Sequence, residues 1–232
     1  VVRTREVVRD ALTNGIGHTD IDKIHCELDA RTLIRHGEEE QQELTTREVL
    51  AEEQRVVSWA KQGRGICRPI NPSYQIEQNF QPKEQRDAVT GLLTSGDRLM
   101  IVNGKAGVGK TTLMKEAISG MRQGGKRVTV LAPQAETAHG LLREREGFDA
   151  NTIASFLLSD RAQKQARGGV LWIDEAGQAS LPEMVQLTAI AESINARIVL
   201  SGDRSQHKSV ARGEPLRLLE TDAGIKPFEI ET

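Results

Sequence analysis

The sequence predicts an α/β fold, in which a parallel β-sheet is covered by helices on both faces and is preceded by a small helical domain. After residue 68, four short continuous apolar runs alternate with stretches of helical periodicity. Such runs are typical of parallel strands, because crossover helices cover both faces of the sheet. Before residue 69, the apolar spacing follows the helical period and β-branched runs are few. We therefore predict a helical domain over residues 1–68 and the sheet domain over residues 69–232.

The composition is that of a globular protein without an overall basic field. The chain has 232 residues, 38% of them hydrophobic, and a formal net charge of −2, which suits one large or two small domains. Lysine and arginine gather locally at residues 122–127 and 161–167, a pattern that favours solvated helix faces. Two unpatterned cysteines, Cys26 and Cys67, indicate reduced thiols in a cytoplasmic protein. No apolar stretch reaches the roughly 20 residues that span a bilayer, so we expect no membrane association.

Three helices are expected in the first domain. The first covers Thr4–Leu12 and the second covers roughly Ile21–Ile34. The third begins where Thr45 and Glu48 have the spacing of a capping box, and it ends near Gly63, a residue suited to a C-terminal cap. A proline-containing connector, residues 67–75, then leads into the sheet domain.

The apolar runs and the segments after them define the sheet domain. Helices are expected over Thr111–Met121 and over Pro182–Ile194, the latter with a capping box formed by Ser180 and Glu183. Ligands of such sheets bind beyond the carboxyl ends of the strands, so the residues that follow each run are candidates for a site. The four runs are Leu99–Val102, Val128–Ala132, Val170–Ile173 and Ile198–Leu200.

The first run leads directly into a complete phosphate-binding loop, "NGKAGVGKTT". Its glycines let successive backbone N–H groups point at phosphates, and the helix that follows adds its positive dipole end. Lys110 would place an ammonium between the β- and γ-phosphates, and the Thr111 hydroxyl would complete the shell of a Mg²⁺ ion. We therefore predict ATP and Mg²⁺ as cofactors. The expected nucleotide-contacting residues are Gly104, Ala106, Gly107, Val108, Gly109, Lys110, Thr111 and Thr112.

Two acids follow the third run, in "VLWIDEAGQ". Asp174 is expected to hold Mg²⁺ through its water shell, together with Thr111. Glu175 is the candidate general base for the attacking water. An acidic pair at a strand end is a weak signal by itself, but it gains weight beside an intact phosphate-binding loop.

These segments, taken in order, resemble the motifs of superfamily 1 helicases, specifically of the RecD-like 1B branch. Gly104–Thr111 matches the Walker A motif, "APQAETAHG" motif Ia, "TIASF" motif Ib, "IDEAGQ" the Walker B motif and "GDRSQ" motif III. Upstream, "FQPKEQRDAV" is similar to the Q motif, whose glutamine, here Gln85, reads the adenine edge. The resemblance covers about residues 76–220 and implies a RecA-like P-loop NTPase domain.

The resemblance implies the first motor domain of a 5′-to-3′ DNA helicase, which couples ATP hydrolysis to translocation on single-stranded DNA. Lys110, Glu175 and Gln206 would be catalytic. The Gln206 amide can donate to phosphate and accept from water, so it would sense the γ-phosphate from a strand end beside that of Asp174. Contacts to DNA should be mainly with the backbone, since only 3% of residues are aromatic. The residues implied in those contacts are Pro133, Gln134, His139, Thr152 and Ser155.

Within this branch, the sequence is most similar to the helicase region of MobF-type conjugative relaxases, which share a "GD..QH..V.RG..LRLL" pattern, here residues 202–219. Two alternatives stay open: the RecD-type (exonuclease V alpha) subunit of a recombination nuclease, and a non-motor DNA-binding module. Helicases of this superfamily close ATP between two RecA-like domains, and the second supplies arginine fingers. This sequence contains one such domain. We therefore expect the second domain of the full-length protein as a partner, and weak or no ATPase activity in this chain alone.

Overall fold

The computed structural model describes residues 2–15, 18–37, 43–77, 82–105, 107–203 and 215–231. By compactness, the chain divides into two units, Val1–Gln54 and Arg55–Thr232. The domain boundary expected after residue 68 stays a prediction.

The first unit combines helices with a small antiparallel sheet. Helices α1 (Thr4–Asn14) and α2 (Ile21–Ala30) lie where helices are expected. Ile34, expected to end the second helix, instead begins a strand and pairs with Thr45. The sequence does not predict the strands, because two or three residues are too few to show alternation. In spatial order the strands are β1 (Val2–Arg3), β3 (Glu43–Thr45) and β2 (Ile34–His36).

Helix α3 (Arg47–Gln62) begins one residue later than the predicted cap implies. The Thr46 hydroxyl accepts a hydrogen bond from the Val49 backbone N–H at 3.3 Å, whereas the Thr45 hydroxyl lies 3.5 Å from the Thr46 carbonyl. The prediction that Thr45 caps the helix is therefore wrong by one residue. Two adjacent threonines offer the same capping chemistry, and the sequence alone does not choose between them. Gly63 follows the helix end, as expected.

Six parallel strands form the sheet of the second unit within the described residues. Their spatial order is the sixth, fifth, seventh, eighth, fourth and ninth strand of the chain. The predicted fold class is confirmed, with a parallel sheet in the second unit and helices in the first. The strands are β4 (Leu99–Gly104), β5 (Val128–Ala132), β6 (Ala150–Thr152), β7 (Val170–Ile173), β8 (Arg197–Gly202) and β9 (Phe228–Ile230).

The four predicted apolar runs are β4, β5, β7 and β8, and every residue of β4, β7 and β8 is buried. The sequence does not predict the three-residue strands β6 and β9, which lie at the two edges of the sheet. Strand β8 lies between β4 and β7. The segments that follow these three strands therefore leave the sheet side by side at one edge.

Helices cover the sheet, and the core lies between the strands and helices that include α4 and α5. Large buried side chains of this core include Leu92, Leu113, Met114 and Trp172. No helix within the described residues is long and apolar enough to cross a bilayer. The remaining helices are α4 (Lys83–Thr94), α5 (Lys110–Gln123), a π-helix (Glu136–Arg145), α6 (Ile153–Leu157), α7 (Asp160–Gln165), a 3-10 turn (Ala176–Gln178), α8 (Leu181–Ser193) and α9 (Pro215–Thr221).

The capping box of α8 is formed as predicted, and it provides a test of the fold. The Ser180 hydroxyl accepts from the Glu183 N–H, and a Glu183 carboxylate oxygen accepts from the Ser180 N–H at 2.8 Å. We expect Ser180→Ala to lower the free energy of unfolding by about 1 kcal/mol, measured by urea denaturation. Ser193→Ala, at the other end of the same helix, removes only a hydroxyl that bonds the Ile190 carbonyl. Equal losses in the two variants would contradict the capping role.

Candidate nucleotide-binding site

The loop between β4 and α5 has the backbone geometry of a phosphate cradle. Gly107 and Gly109 have φ values of 83° and 85°, in the left-handed region that favours glycine. Gly109 is the N-cap of α5, and the helix begins at Lys110. The N-terminal N–H groups of α5 have no partner within the helix, so they and the helix dipole favour an anion at this point.

The Lys110 side chain folds back onto the phosphate-binding loop and forms hydrogen bonds with its backbone. Its Nζ donates to the Gly104 carbonyl at 2.5 Å and to the Lys105 carbonyl at 2.9 Å. An ammonium has three donors, so a third donor can meet a phosphate oxygen. The two carbonyl contacts hold the charge at the mouth of the loop.

Asp174 follows the end of β7 and is half-buried at the floor of the site. Its Oδ1 accepts a hydrogen bond from the Ser201 hydroxyl at 2.7 Å, and the Ser201 oxygen in turn accepts from Trp172 Nε1 at 2.8 Å. Burial raises the pKa of Asp174 above its ordinary value of 3.8, although the Ser201 hydrogen bond and the positive charge of Lys110 act in the opposite direction. A carboxylate in this environment is strongly favoured once a cation binds it.

Glu175 is held beside Asp174 by two hydrogen bonds to one oxygen. Its backbone is left-handed, with φ 51°, which is uncommon for a residue with a side chain and is found at functional turns. Its Oε2 accepts from the Thr137 hydroxyl at 3.0 Å and from Gln178 Nε2 at 3.0 Å. Both bonds fix the position of the carboxylate group.

The two acids and the phosphate loop line one cleft of about 380 Å³. The structure thus brings together residues from the ends of three neighbouring strands, β4, β7 and β8. The lining residues are Gly107, Gly109, Lys110, Thr111, Asp174, Glu175, Gly177, Gln178, Gly202 and Asp203.

Gln85, on α4, forms a hydrogen bond with the backbone of the phosphate-binding loop. Its Nε2 donates to the Val108 carbonyl at 2.9 Å, and a Cβ on Gly109 would lie only 2.7 Å from that nitrogen. The Gln85 Oε1 is buried and has no hydrogen-bond partner within the described residues. A buried acceptor without a partner is suited to accept a hydrogen bond from the amino group of an adenine.

The residues present fit Mg²⁺ held together with a nucleotide. The described residues contain no group of three or more His, Cys, Asp or Glu side chains that would bind a metal by themselves. Mg²⁺ usually takes one or two protein ligands and completes its shell with water and phosphate oxygens. Thr111 and Asp174, both in the cleft, are an oxygen donor set of that size.

Four of the five residues implied in DNA contact follow two adjacent strands. Pro133 and Gln134 come after β5, whereas Thr152 ends β6 and its hydroxyl caps α6 by accepting from the Ser155 N–H at 3.0 Å. Ala132 and Thr152 are register partners, so these segments leave the sheet at the same edge. Gln134 and Ser155 are exposed. His139, the fifth residue, lies on the π-helix and is half-buried.

Two of the predicted site residues, Ala106 and Gln206, lie outside the described residues. The strand that leads to Gln206 is β8, and its expected place beside β7 is confirmed. Sequence reasoning missed Ser201 and Thr137. The register pairs Ile173 with Leu200, which sets Asp174 opposite Ser201, but that signal requires the strand pairing to be known.

The raised pKa of Asp174 predicts a gain of stability when its charge is removed. A carboxyl whose pKa is raised by folding stabilises the protein below its unfolded pKa, and that contribution is lost as pH rises through the raised value. In the absence of divalent metal at neutral pH, we expect Asp174→Asn to raise the melting temperature by about 2–4 °C. The gain should shrink as pH falls toward 3.8. Asp149→Asn, at a side chain 94% exposed, is the control, and equal curves for both variants would contradict the assignment.

Comparison with known proteins identifies the family. Over 147 aligned positions, the chain is 33% identical to the multifunctional conjugation protein TraI of Escherichia coli K12, and the match covers 59% of this chain and 8% of that protein. A 192-residue segment is 28% identical to the probable conjugal transfer protein TraA of Sinorhizobium fredii, covering 80% of this chain and 17% of that protein. The chain thus spans less than a fifth of the length of these relatives.

The family model described as AAA domain matches residues 81–232, more than half of the chain. The resemblance to RecD-like helicases and to the helicase regions of conjugative relaxases is thereby confirmed. The chain belongs to the AAA domain family (AAA_30), as a helicase-like domain related to the conjugation proteins TraI and TraA.

Proposed function

We propose that this domain is the ATP-binding first motor domain of a 5′-to-3′ DNA helicase, which couples ATP hydrolysis to translocation on single-stranded DNA. One observation carries the proposal. Lys110, Thr111, Asp174 and Glu175 line the same cleft, although the two pairs are about sixty residues apart in sequence. That set contains each group that phosphoryl transfer to water requires of one domain: a phosphate clamp, metal ligands and a base.

In this proposal, different residues bind the phosphates, the metal ion and the adenine. The backbone N–H groups of the glycine loop and the Lys110 ammonium hold the β- and γ-phosphates. Thr111 and Asp174 hold the metal, and Mg²⁺, when bound, neutralises charge on the phosphate oxygens. Gln85 contributes its Oε1, which has no hydrogen-bond partner among the described residues, to the adenine edge.

Glu175 is the residue that takes a proton from the attacking water. Within the described residues, both hydrogen bonds to its carboxylate fall on Oε2, which leaves Oε1 to accept the proton. Thr137, one of the two donors, lies on the π-helix that begins two residues after Gln134. A short segment thus connects the proposed DNA contact to the proposed base, and movement of this segment on DNA would reposition Glu175.

Two partners complete the motor in this proposal. Single-stranded DNA lies over the segments that follow β5 and β6, and a second RecA-like domain of the full-length protein supplies the arginine finger. The similarity to TraI and TraA supports a place in a conjugation protein over the RecD-type nuclease subunit. The full set of catalytic groups argues against a non-motor module. The free thiols of Cys26 and Cys67 suit the reducing cytoplasm.

The roles of Lys110 and Gln206 predict different losses. Lys110→Ala should abolish binding of a fluorescent ATP analogue, because Lys110 is the one cationic side chain among the described residues that line the cleft. Gln206→Ala should leave that affinity within about twofold and remove the response of ATPase to single-stranded DNA, since a sensor acts after binding. Equal loss of nucleotide affinity in both variants would refute the sensor role.

Thr137 provides a test of the coupling segment. Thr137→Val keeps the shape but removes the hydrogen bond to Glu175, so DNA-stimulated turnover should fall about five- to tenfold, the effect of one hydrogen bond of about 1 kcal/mol. Nucleotide affinity should stay unchanged. Thr137→Ser keeps the hydroxyl and should retain most of the rate, measured as phosphate release in the full-length protein. If serine and valine are equally slow, Thr137 acts through packing rather than through the carboxylate.

A further inference from the structure

An open cleft of about 920 Å³ lies at the end of the sheet where the parallel strands begin. The nucleotide cleft lies at the other end, where the strands finish. It opens where β5 and β7 begin, whereas the nucleotide cleft lies where β4, β7 and β8 end. Its charged lining residues are Arg127, Arg161, Lys164, Arg167 and Asp160. We call this set of five residues the basic cleft.

Folding creates the basic cleft from two distant segments. Arg127 immediately precedes β5, and the other four residues lie on α7 or in the turn before β7. The Arg127 Nη1 donates to the Gln165 carbonyl at 3.0 Å, and the Arg127 carbonyl accepts from the Val170 N–H at 2.9 Å. The pairing of β5 with β7 therefore fixes the two basic segments side by side.

The charge of the basic cleft is not balanced from within. Four cations and one carboxylate give a net charge of 4 − 1 = +3, in a chain whose overall charge is −2. All five side chains belong to exposed residues. Within the described residues, no salt bridge joins any of the four cations to an acid. The Arg127 contact with a neutral carbonyl fixes its position without neutralising it. Like charges held around one concavity repel each other, and a polyanion would relieve that repulsion.

We propose that the basic cleft is a second DNA-binding surface, which takes the phosphate backbone of single-stranded DNA. Three of its four cations are arginines, whose planar guanidinium groups bind phosphate through two parallel hydrogen bonds. The lining set contains no aromatic side chain, so bases have nothing to stack on and binding is independent of sequence.

The composition of the cleft favours DNA over an acidic protein. Beside the five charged residues, the lining consists of Gly125, Gln165 and Gly168. Protein interfaces bury an apolar core within a polar rim, and this lining contributes no apolar side chain. A phosphate backbone needs only charge and donors.

The position of the cleft makes this surface independent of ATP. Strand β5 has five residues, so its two ends, where the two clefts lie, are about 16 Å apart at 3.3 Å per residue. No residue lines both clefts. The inference thus goes beyond the proposed function, in which DNA contacts the nucleotide edge of the sheet.

The test is a double charge reversal, Arg161→Glu with Arg167→Glu, in the full chain. The readout is fluorescence anisotropy of a labelled single-stranded oligonucleotide without nucleotide, over about 50 to 200 mM salt. We expect at least a tenfold weaker Kd at the lowest salt and a salt slope smaller by about 1.4, since each lost phosphate contact removes about 0.7. Affinity for an ATP analogue should stay unchanged, which shows that the variant is folded.

The control is Lys61→Glu with Lys226→Glu, two exposed residues outside both clefts that change the net charge by the same amount. Equal DNA affinity in the two double variants would overturn the proposal, because total charge alone would then explain binding. Tighter binding of polyglutamate than of DNA by the unaltered chain, lost in the cleft variant, would assign the surface to an acidic protein instead. ATP binding is measured separately, so failure of the motor proposal is distinguishable from failure of this one.

Discussion

The parallel pairing of β8 between β4 and β7 is the constraint on which the nucleotide cleft depends. The carboxyl ends of parallel strands lie at the same end of the sheet. The segments that follow these three strands therefore bring Lys110, Asp174 and Asp203 into one cleft. Moving any one of these strands to another place in the sheet would separate the phosphate loop from the acids. The fully buried strands make such a change costly, since each would have to exchange its apolar contacts on both faces.

A chain of hydrogen bonds runs from Trp172 in the core through Ser201 to Asp174 in the nucleotide cleft. Trp172 is fully buried in the core, and its ring nitrogen holds the serine oxygen that contacts the carboxyl group. An unpaired buried donor costs about 1–3 kcal/mol, so each member of the chain holds the next in place. Burial that disfavours the Asp174 charge lowers stability, and the same burial strengthens the attraction of that charge for a cation.

The sequence predicts the features that depend on local pattern and misses those that depend on pairing. The predicted runs of β4, β5, β7 and β8 are three to five residues long and almost wholly apolar, so they stand out without any tertiary knowledge, whereas β6 and β9 contain polar residues and do not. Strands β6 and β9 have three residues each, and they form because a neighbouring strand is already in place. The same limit applies to side chains. Lys110 belongs to a local motif, whereas Thr137 meets Glu175 across 38 positions of the chain.

Among the described residues, the linings of the nucleotide cleft and the basic cleft carry net charge of opposite sign. Asp174, Glu175 and Asp203 gather at the carboxyl edge, and the basic cleft lies at the amino edge. In the proposed motor, a DNA strand near the carboxyl ends of the strands would lie close to these acids, so its contact there would change with the nucleotide state. A DNA strand in the basic cleft would meet the same positive charge in every nucleotide state. In the motor proposed above, the carboxyl ends of the strands would therefore release and rebind DNA in each cycle, and the basic cleft would retain the strand while that happens.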